Sequence, residues 1–318
     1  MELIKAILFL VLGFMLLIKA SDIFVDAVSS IATHFNMSKM MIAVTVAAFG
    51  TCAPELAISF NSIISGYGDI ALANIIGSNT INILLIIGIA SLISPIKVKN
   101  SVTKKELPIL VVITSVFALA LLSNLFSAGD NILARKDGLL FIFFFVVFIF
   151  YIVSVIKIKE GIFERSTAKY KMLPSIILTI VCCIVIIFAS DLVVTNAQVI
   201  ARMANISEKI ITMTVVVIGT SLPELTMTVI SAKKNEYDIA IGNIIGTNIF
   251  NICVVLGLPL LIFGGFSSVS FNVVDIIVVL IAAFCLFFFA RNDKRLSRKE
   301  GIIMLSIFLI YYLYLFLQ

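Results

Sequence analysis

The stretch DIALANIIGSNTINILLIIG occupies residues 69–88, and DIAIGNIIGTNIFNICVVLG occupies residues 238–257. The second is a copy of the first, displaced by 169 positions, and the likeness widens when followed outward. Without a gap, Ala20 to Gly88 aligns with Ala189 to Gly257 at 28 identities in 69 positions. The shared residues include Ala20-Ser21-Asp22 with Ala189-Ser190-Asp191, Gly50-Thr51 with Gly219-Thr220, and Pro54-Glu55-Leu56 with Pro223-Glu224-Leu225. They continue through Asn74, Gly77, Asn79 and Asn82 with Asn243, Gly246, Asn248 and Asn251. The chain is therefore two related halves.

Both halves are made for lipid. With 61% hydrophobic and 13% charged residues and a mean hydropathy of +1.20, the composition lies outside the range of water-soluble domains. A hydrocarbon solvent leaves helical bundles or closed barrels, because every backbone polar group must be paired inside the protein. The apolar runs are roughly 18 to 25 residues long without strict alternation, which selects helices. Ten spans are read, near 3–20, 40–64, 70–94, 107–124, 138–157, 174–198, 210–231, 239–264, 272–290 and 300–317. The first lacks a small-residue cleavage site and is read as a mature helix.

Five spans per half is an odd number, so matching helices cross the bilayer in opposite senses. The expected fold is an all-α integral membrane protein of ten transmembrane helices in two inverted five-helix repeats. The first half covers 1–157, a basic cytoplasmic connector 158–173, and the second half 174–318. Charge fixes the orientation. Of 23 Lys and Arg, 17 fall in one set of alternate loops, around 39, 97–105, 157–171, 233–234 and 291–299. The positive-inside rule puts both termini outside the cytoplasm, in a plasma or inner membrane. The net charge of +5 is thus topological, with no call for nucleic acid as a partner. The five cysteines form no CxxC pair, and the lone histidine, His34, lies near a loop, so neither a zinc site nor a histidine base is indicated.

Two motifs per half break the apolar rule. In Gly50-Thr51-Cys52-Ala53-Pro54-Glu55 and Gly219-Thr220-Ser221-Leu222-Pro223-Glu224, proline lacks an amide donor, which frees the carbonyls of Gly50 and Gly219. Thr51 with Glu55, and Thr220 with Glu224, are four apart and share a helical face. Asn74, Ser78 and Asn82, answered by Asn243, Thr247 and Asn251, make a polar stripe on each following helix. Such residues often only join helices, and Gly77, Gly88, Gly246 and Gly257 read as packing residues. Asp22 and Asp191 are read near helix ends, and Asp69 and Asp238 as N-terminal caps. The glutamates differ, because a buried carboxylate without a cationic partner costs several kcal/mol and must protonate or hold a mobile cation. Carboxylate, amide, hydroxyl and carbonyl oxygens suit hard cations, and calcium takes six to eight of them, whereas transition metals favour His or thiolate.

At these motifs the sequence resembles the sodium/calcium exchanger family of Ca²⁺:cation antiporters, whose repeats carry G-T-S-x-P-E and G-N-x-x-G-S-N-x-x-N/D. The resemblance implies ten helices, with the second, third, seventh and eighth holding the ions and the first and sixth sliding across them. It implies that Glu55 and Glu224 are the central carboxylates. Thr51 and Thr220, with the carbonyls of Ala48 and Val217, would complete the calcium shell. Ser78, Thr247, Ser221, Asn82 and Asn251 would line sodium or water positions. Cys52 stands where the motif has Ser, and Asn251 where potassium-dependent members carry Asp.

The expected function is secondary antiport of Ca²⁺ against Na⁺ by alternating access, with no prosthetic group, no catalysed chemistry and no obligate protein partner. H⁺ is the alternative counter-ion, since protonated glutamates could replace sodium. A passive channel and an intramembrane enzyme using the two carboxylates rank below, for want of a re-entrant filter and of paired aspartates.

Overall fold

The computed structural model describes residues 2–125, 133–158, 168–204, 217–265 and 272–317. The first half opens with α1 (Glu2–His34), then α2 (Lys39–Thr51) and α3 (Ala53–Ile64), and α4 (Gly68–Ile93). A two-residue strand β1 (Ile96–Lys97) and the short α5 (Asn100–Lys104) lead into α6 (Glu106–Leu125) and α7 (Arg135–Ile158). The second half comprises α8 (Met172–Met203), α9 (Val217–Thr220), α10 (Leu222–Lys233), α11 (Tyr237–Phe263), α12 (Val273–Asn292), β2 (Arg295–Leu296) and α13 (Arg298–Leu317), its helices in the same order but its strand one span later.

Eight described helices are long and apolar enough to cross a membrane, and α2 with α3 forms a ninth span bent by 50°. Its repeat mate, α9 with α10, is broken at the corresponding place, which brings the spans to the expected ten. The expected span 210–231 as far as 216, and most of the connector, lie outside the described residues. The break falls at Cys52 in one half and Ser221 in the other, each with a proline two residues on. Missing amides at Pro54 and Pro223 leave Gly50 and Gly219 without their usual donors, and the helix turns there.

Two helices run longer than their apolar cores. Expected at 3–20 and 174–198, they extend as α1 to His34 and as α8 from Met172 to Met203. The polar residues that follow the first run sit mid-helix, facing protein. Ser21 donates to Thr226 at 3.0 Å, and Asp22 pairs with Lys234 at 2.9 Å. Asp22 and Asp191 are accordingly not near helix ends. Asp69 and Asp238 lie in first turns, but the capping positions belong to Tyr67 and Glu236, and Asp238 pairs instead with Lys99 at 2.5 Å.

The layers follow from apolarity. Helices α4 and α11 are 78% and 83% buried across their most apolar windows, against 22% for α1. They form the centre, crossed by the broken spans and flanked by α7 and α13. Glycine permits the closest crossings. A Cβ at Gly246 would lie 2.5 Å from the Val44 carbonyl oxygen and 2.7 Å from the Ala48 Cβ, so α11 rests directly on α2. Gly88 likewise admits Leu305 of α13, and Gly257 admits Phe141 of α7, as packing residues should.

Candidate cation site

The two helix breaks meet the two central helices in the protein's interior. Glu55, one turn into α3, and Glu224, one turn into α10, are both wholly buried. None of their four carboxylate oxygens accepts a hydrogen bond. They lie close enough to feel one another's charge. No Lys or Arg pairs with either among the described residues. Two bare carboxylates in so dry a place repel each other strongly and invite a cation between them.

Neutral oxygens surround them. The Thr51 hydroxyl, 2% exposed, donates to the Ala48 carbonyl at 3.3 Å and lies beside the Glu224 carboxylate. The Ala48 carbonyl also accepts the Cys52 amide at 3.1 Å. Ser78, Ser221 and Thr247 are buried, and their hydroxyl oxygens have no partner; the same holds for the Oδ1 atoms of Asn82 and Asn251. Cys52 is buried within electrostatic range of both glutamates and next to Thr247. Thr220 ends α9 and is half-buried, and Val217 begins that helix, its side chain lying outside the described residues. Orphaned buried oxygens are rare in folded proteins, because each forfeits its hydration without return. Here five of them belong to the motifs that carry or follow the two glutamates.

Other residues position this shell. The Gly50 carbonyl accepts the Cys183 thiol at 3.2 Å, and the Gly219 carbonyl accepts the Ser190 hydroxyl at 2.9 Å. Both freed carbonyls are thus held by side chains of α8. Between α4 and α11, the Asn79 amide donates to the Asn248 carbonyl at 3.3 Å and the Asn248 amide returns to the Asn79 carbonyl at 3.4 Å. Asn82 donates to the Asn248 Oδ1 at 3.0 Å, and Asn251 to the Asn79 Oδ1 at 3.2 Å. This reciprocal quartet lies on the pseudo-twofold axis. Both helices loosen into π-helix through its second members, Asn82 in Ile81–Ile87 and Asn251 in Asn251–Leu256, a distortion common beside functional sites. Sequence reasoning passed over Ser190, Cys183 and the bonding of Asn79 to Asn248. The identity of the two asparagines at the repeat spacing was the available signal for the last.

Comparison with known proteins gives the chain a family. Residues 5–154 and 174–317 match the sodium/calcium exchanger protein family. The chain belongs to that family. It is 36% identical over 321 residues to a putative antiporter, CaxA, of Alkalimonas amylolytica, covering 98% of each chain. It is 30% identical over 343 residues to the sodium/calcium exchanger MaX1 of Methanosarcina acetivorans, covering 97% of this chain and 98% of that one. A solved structure of the sodium-calcium exchanger NCX_Mj, soaked with Na⁺ and Sr²⁺, superposes with a TM-score of 0.81 at 31% identity, over 96% of this chain and 97% of that one. The family member described here is therefore a multi-pass membrane transporter that exchanges cations, Ca²⁺ among them, and not an enzyme.

Proposed function

We propose that this exchanger moves Ca²⁺ against Na⁺ at a single shared site between Glu55 and Glu224. The observation that carries the reading is the pair of wholly buried carboxylates with four unpartnered oxygens. One Ca²⁺ neutralises their two charges, and so do bound Na⁺ ions, but the two loads compete for the same oxygens. Exclusion at shared ligands converts a sodium gradient into calcium movement. Thr51, Thr220 and the carbonyls of Ala48 and Val217 complete the calcium shell, while Ser78, Ser221, Thr247, Asn82 and Asn251 serve sodium or water, with Cys52 a weak member. Around this point the first and sixth spans, α1 of the half 1–157 and α8 of the half 174–318, which 158–173 joins, slide across the ion-holding helices, in a membrane that leaves both termini outside the cytoplasm.

The test is uptake of ⁴⁵Ca²⁺ into sodium-loaded proteoliposomes. Uptake should follow the outward sodium gradient and vanish when internal Na⁺ is replaced by choline. Glu55→Gln and Glu224→Gln should each abolish it; exchange surviving in both would refute the site. Cys52 favours a second reading, in which H⁺ replaces Na⁺, because a thiol is a poor sodium ligand. A pH gradient imposed without sodium separates the two, since only the proton reading predicts uptake under it.

A further inference from the structure

The two segments 97–106 and 291–300 lie far apart in sequence and carry nine Lys and Arg against three Asp and Glu. The β1–β2 ladder sets them side by side, pairing Ile96 with Leu296 and Lys97 with Arg295. Two of the three acids there are already engaged. Glu106 accepts the Tyr151 hydroxyl at 2.7 Å, and Glu300 caps Ser297. Beside this ladder, between the end of α5, the first turn of α6 and the last turn of α12, is a recess of about 360 Å³. Asn100, Thr103, Lys104, Pro108, Phe287 and Arg291 line it. Lys104 and Arg291 make no ion pair among the described residues, although Lys39, Lys99, Lys169 and Lys234 all do. The Arg291 guanidinium stands 5.8 Å from the Phe287 ring centre, a cation held over an aromatic face.

From this we infer that the recess holds the headgroup of an anionic phospholipid. The two cations and the Asn100 amide face the phosphate, and Phe287 and Pro108 lie against the glycerol and upper acyl chain. Depth agrees with the assignment, because the cavity lies where helices begin and end, at the level of lipid headgroups. Topology alone asks only for cations scattered through loops. It does not ask for a strand ladder that joins two basic segments, nor for a mixed polar and apolar cavity beside them. Anionic-lipid sites between helices have this composition. The inference does not depend on which cations are exchanged.

Native mass spectrometry of the purified exchanger from mixed phosphatidylglycerol and phosphatidylcholine vesicles tests it. Wild type should retain phosphatidylglycerol in preference to phosphatidylcholine. Lys104→Gln with Arg291→Gln should weaken that retention roughly thirty-fold, the effect of two interfacial cations. Lys171→Gln with Lys233→Gln, on the same face but away from the recess, should leave it intact, and Lys104→Arg with Arg291→Lys should preserve most of it. Equal loss in both Gln pairs would reduce the effect to general surface charge and overturn the site. So would undiminished retention in the Lys104/Arg291 pair, or displacement of the lipid by millimolar glycerol phosphate, which would mark a soluble phosphate site. A sharp amide-exchange pattern matching wild type shows that the variants are folded.

Discussion

A thiol at position 52 sets the first half of the site apart from the second, where Ser221 stands. Sulfur is soft and sodium hard, so Cys52→Ser adds a better oxygen ligand at a place already facing both glutamates. The expected result is a several-fold fall in the sodium concentration that half-inhibits calcium binding, of order 1 kcal/mol, read by ⁴⁵Ca²⁺ displacement. The asparagine quartet carries a different load. Asn79→Ala or Asn248→Ala removes hydrogen bonds between α4 and α11, and should cost about 0.6–1.7 kcal/mol each, as interhelical bonds in membranes do; thermal unfolding in detergent measures it. At this scale the glutamates were legible in sequence, because uncompensated charge in an apolar run has few explanations. Ser190 and Cys183 were not, because their partners are carbonyls that only folding brings to them, and a hydroxyl or thiol in an apolar helix has many harmless uses.

Helices show the same division between what pattern reveals and what contact decides. Pro54 and Pro223 announced the two breaks, and the 50° bend between α2 and α3 is the consequence. Pro54→Ala supplies a backbone donor for the Gly50 carbonyl, which would then compete with the Cys183 thiol. Straightening of the break should slow amide exchange near Gly50 to Glu55 and cut calcium uptake roughly tenfold, as misplaced ligands do. Gly246→Ala tests the opposite fault. Its methyl meets backbone atoms of α2, which cannot yield as a flexible side chain would. A loss of about 1–3 kcal/mol is expected, again by thermal unfolding, with weaker calcium binding because Ala48 must shift. The end of α1 was misjudged for a plain reason: hydropathy counts what lipid tolerates, and this helix continues where protein receives Ser21, Asp22 and Asp26.

Across the whole molecule, the duplicated sequence foretold the architecture, since no other reading of an odd number of spans per copy preserves the repeat. Pseudo-symmetry is nevertheless imperfect, and the imperfection lies on the face where cations predominate. Lys234, at the end of α10, bridges Asp22 and Asp26 of α1 at 2.9 and 2.7 Å and donates to the Asp22 carbonyl at 2.7 Å. Lys169 joins the same cluster through Asp26 at 2.5 Å. The corresponding positions of the other half are Ser65, Asp191 and Thr195, which supply no such bridge.

A transporter whose two orientations were exact exchanges of its halves would sit on a level balance. This one is weighted. Fastening α1 to α10 on a single face lowers the energy of the arrangement drawn here without helping its counterpart, so an ion-free exchanger should rest with that face shut. Lys234→Gln should release the weight, quickening amide exchange around Asp22 to Ser30 and raising apparent ion affinity from that side a few-fold, in keeping with about 1 kcal/mol for half-exposed pairs. Ser65→Lys with Thr195→Asp would hang an equal weight on the other arm.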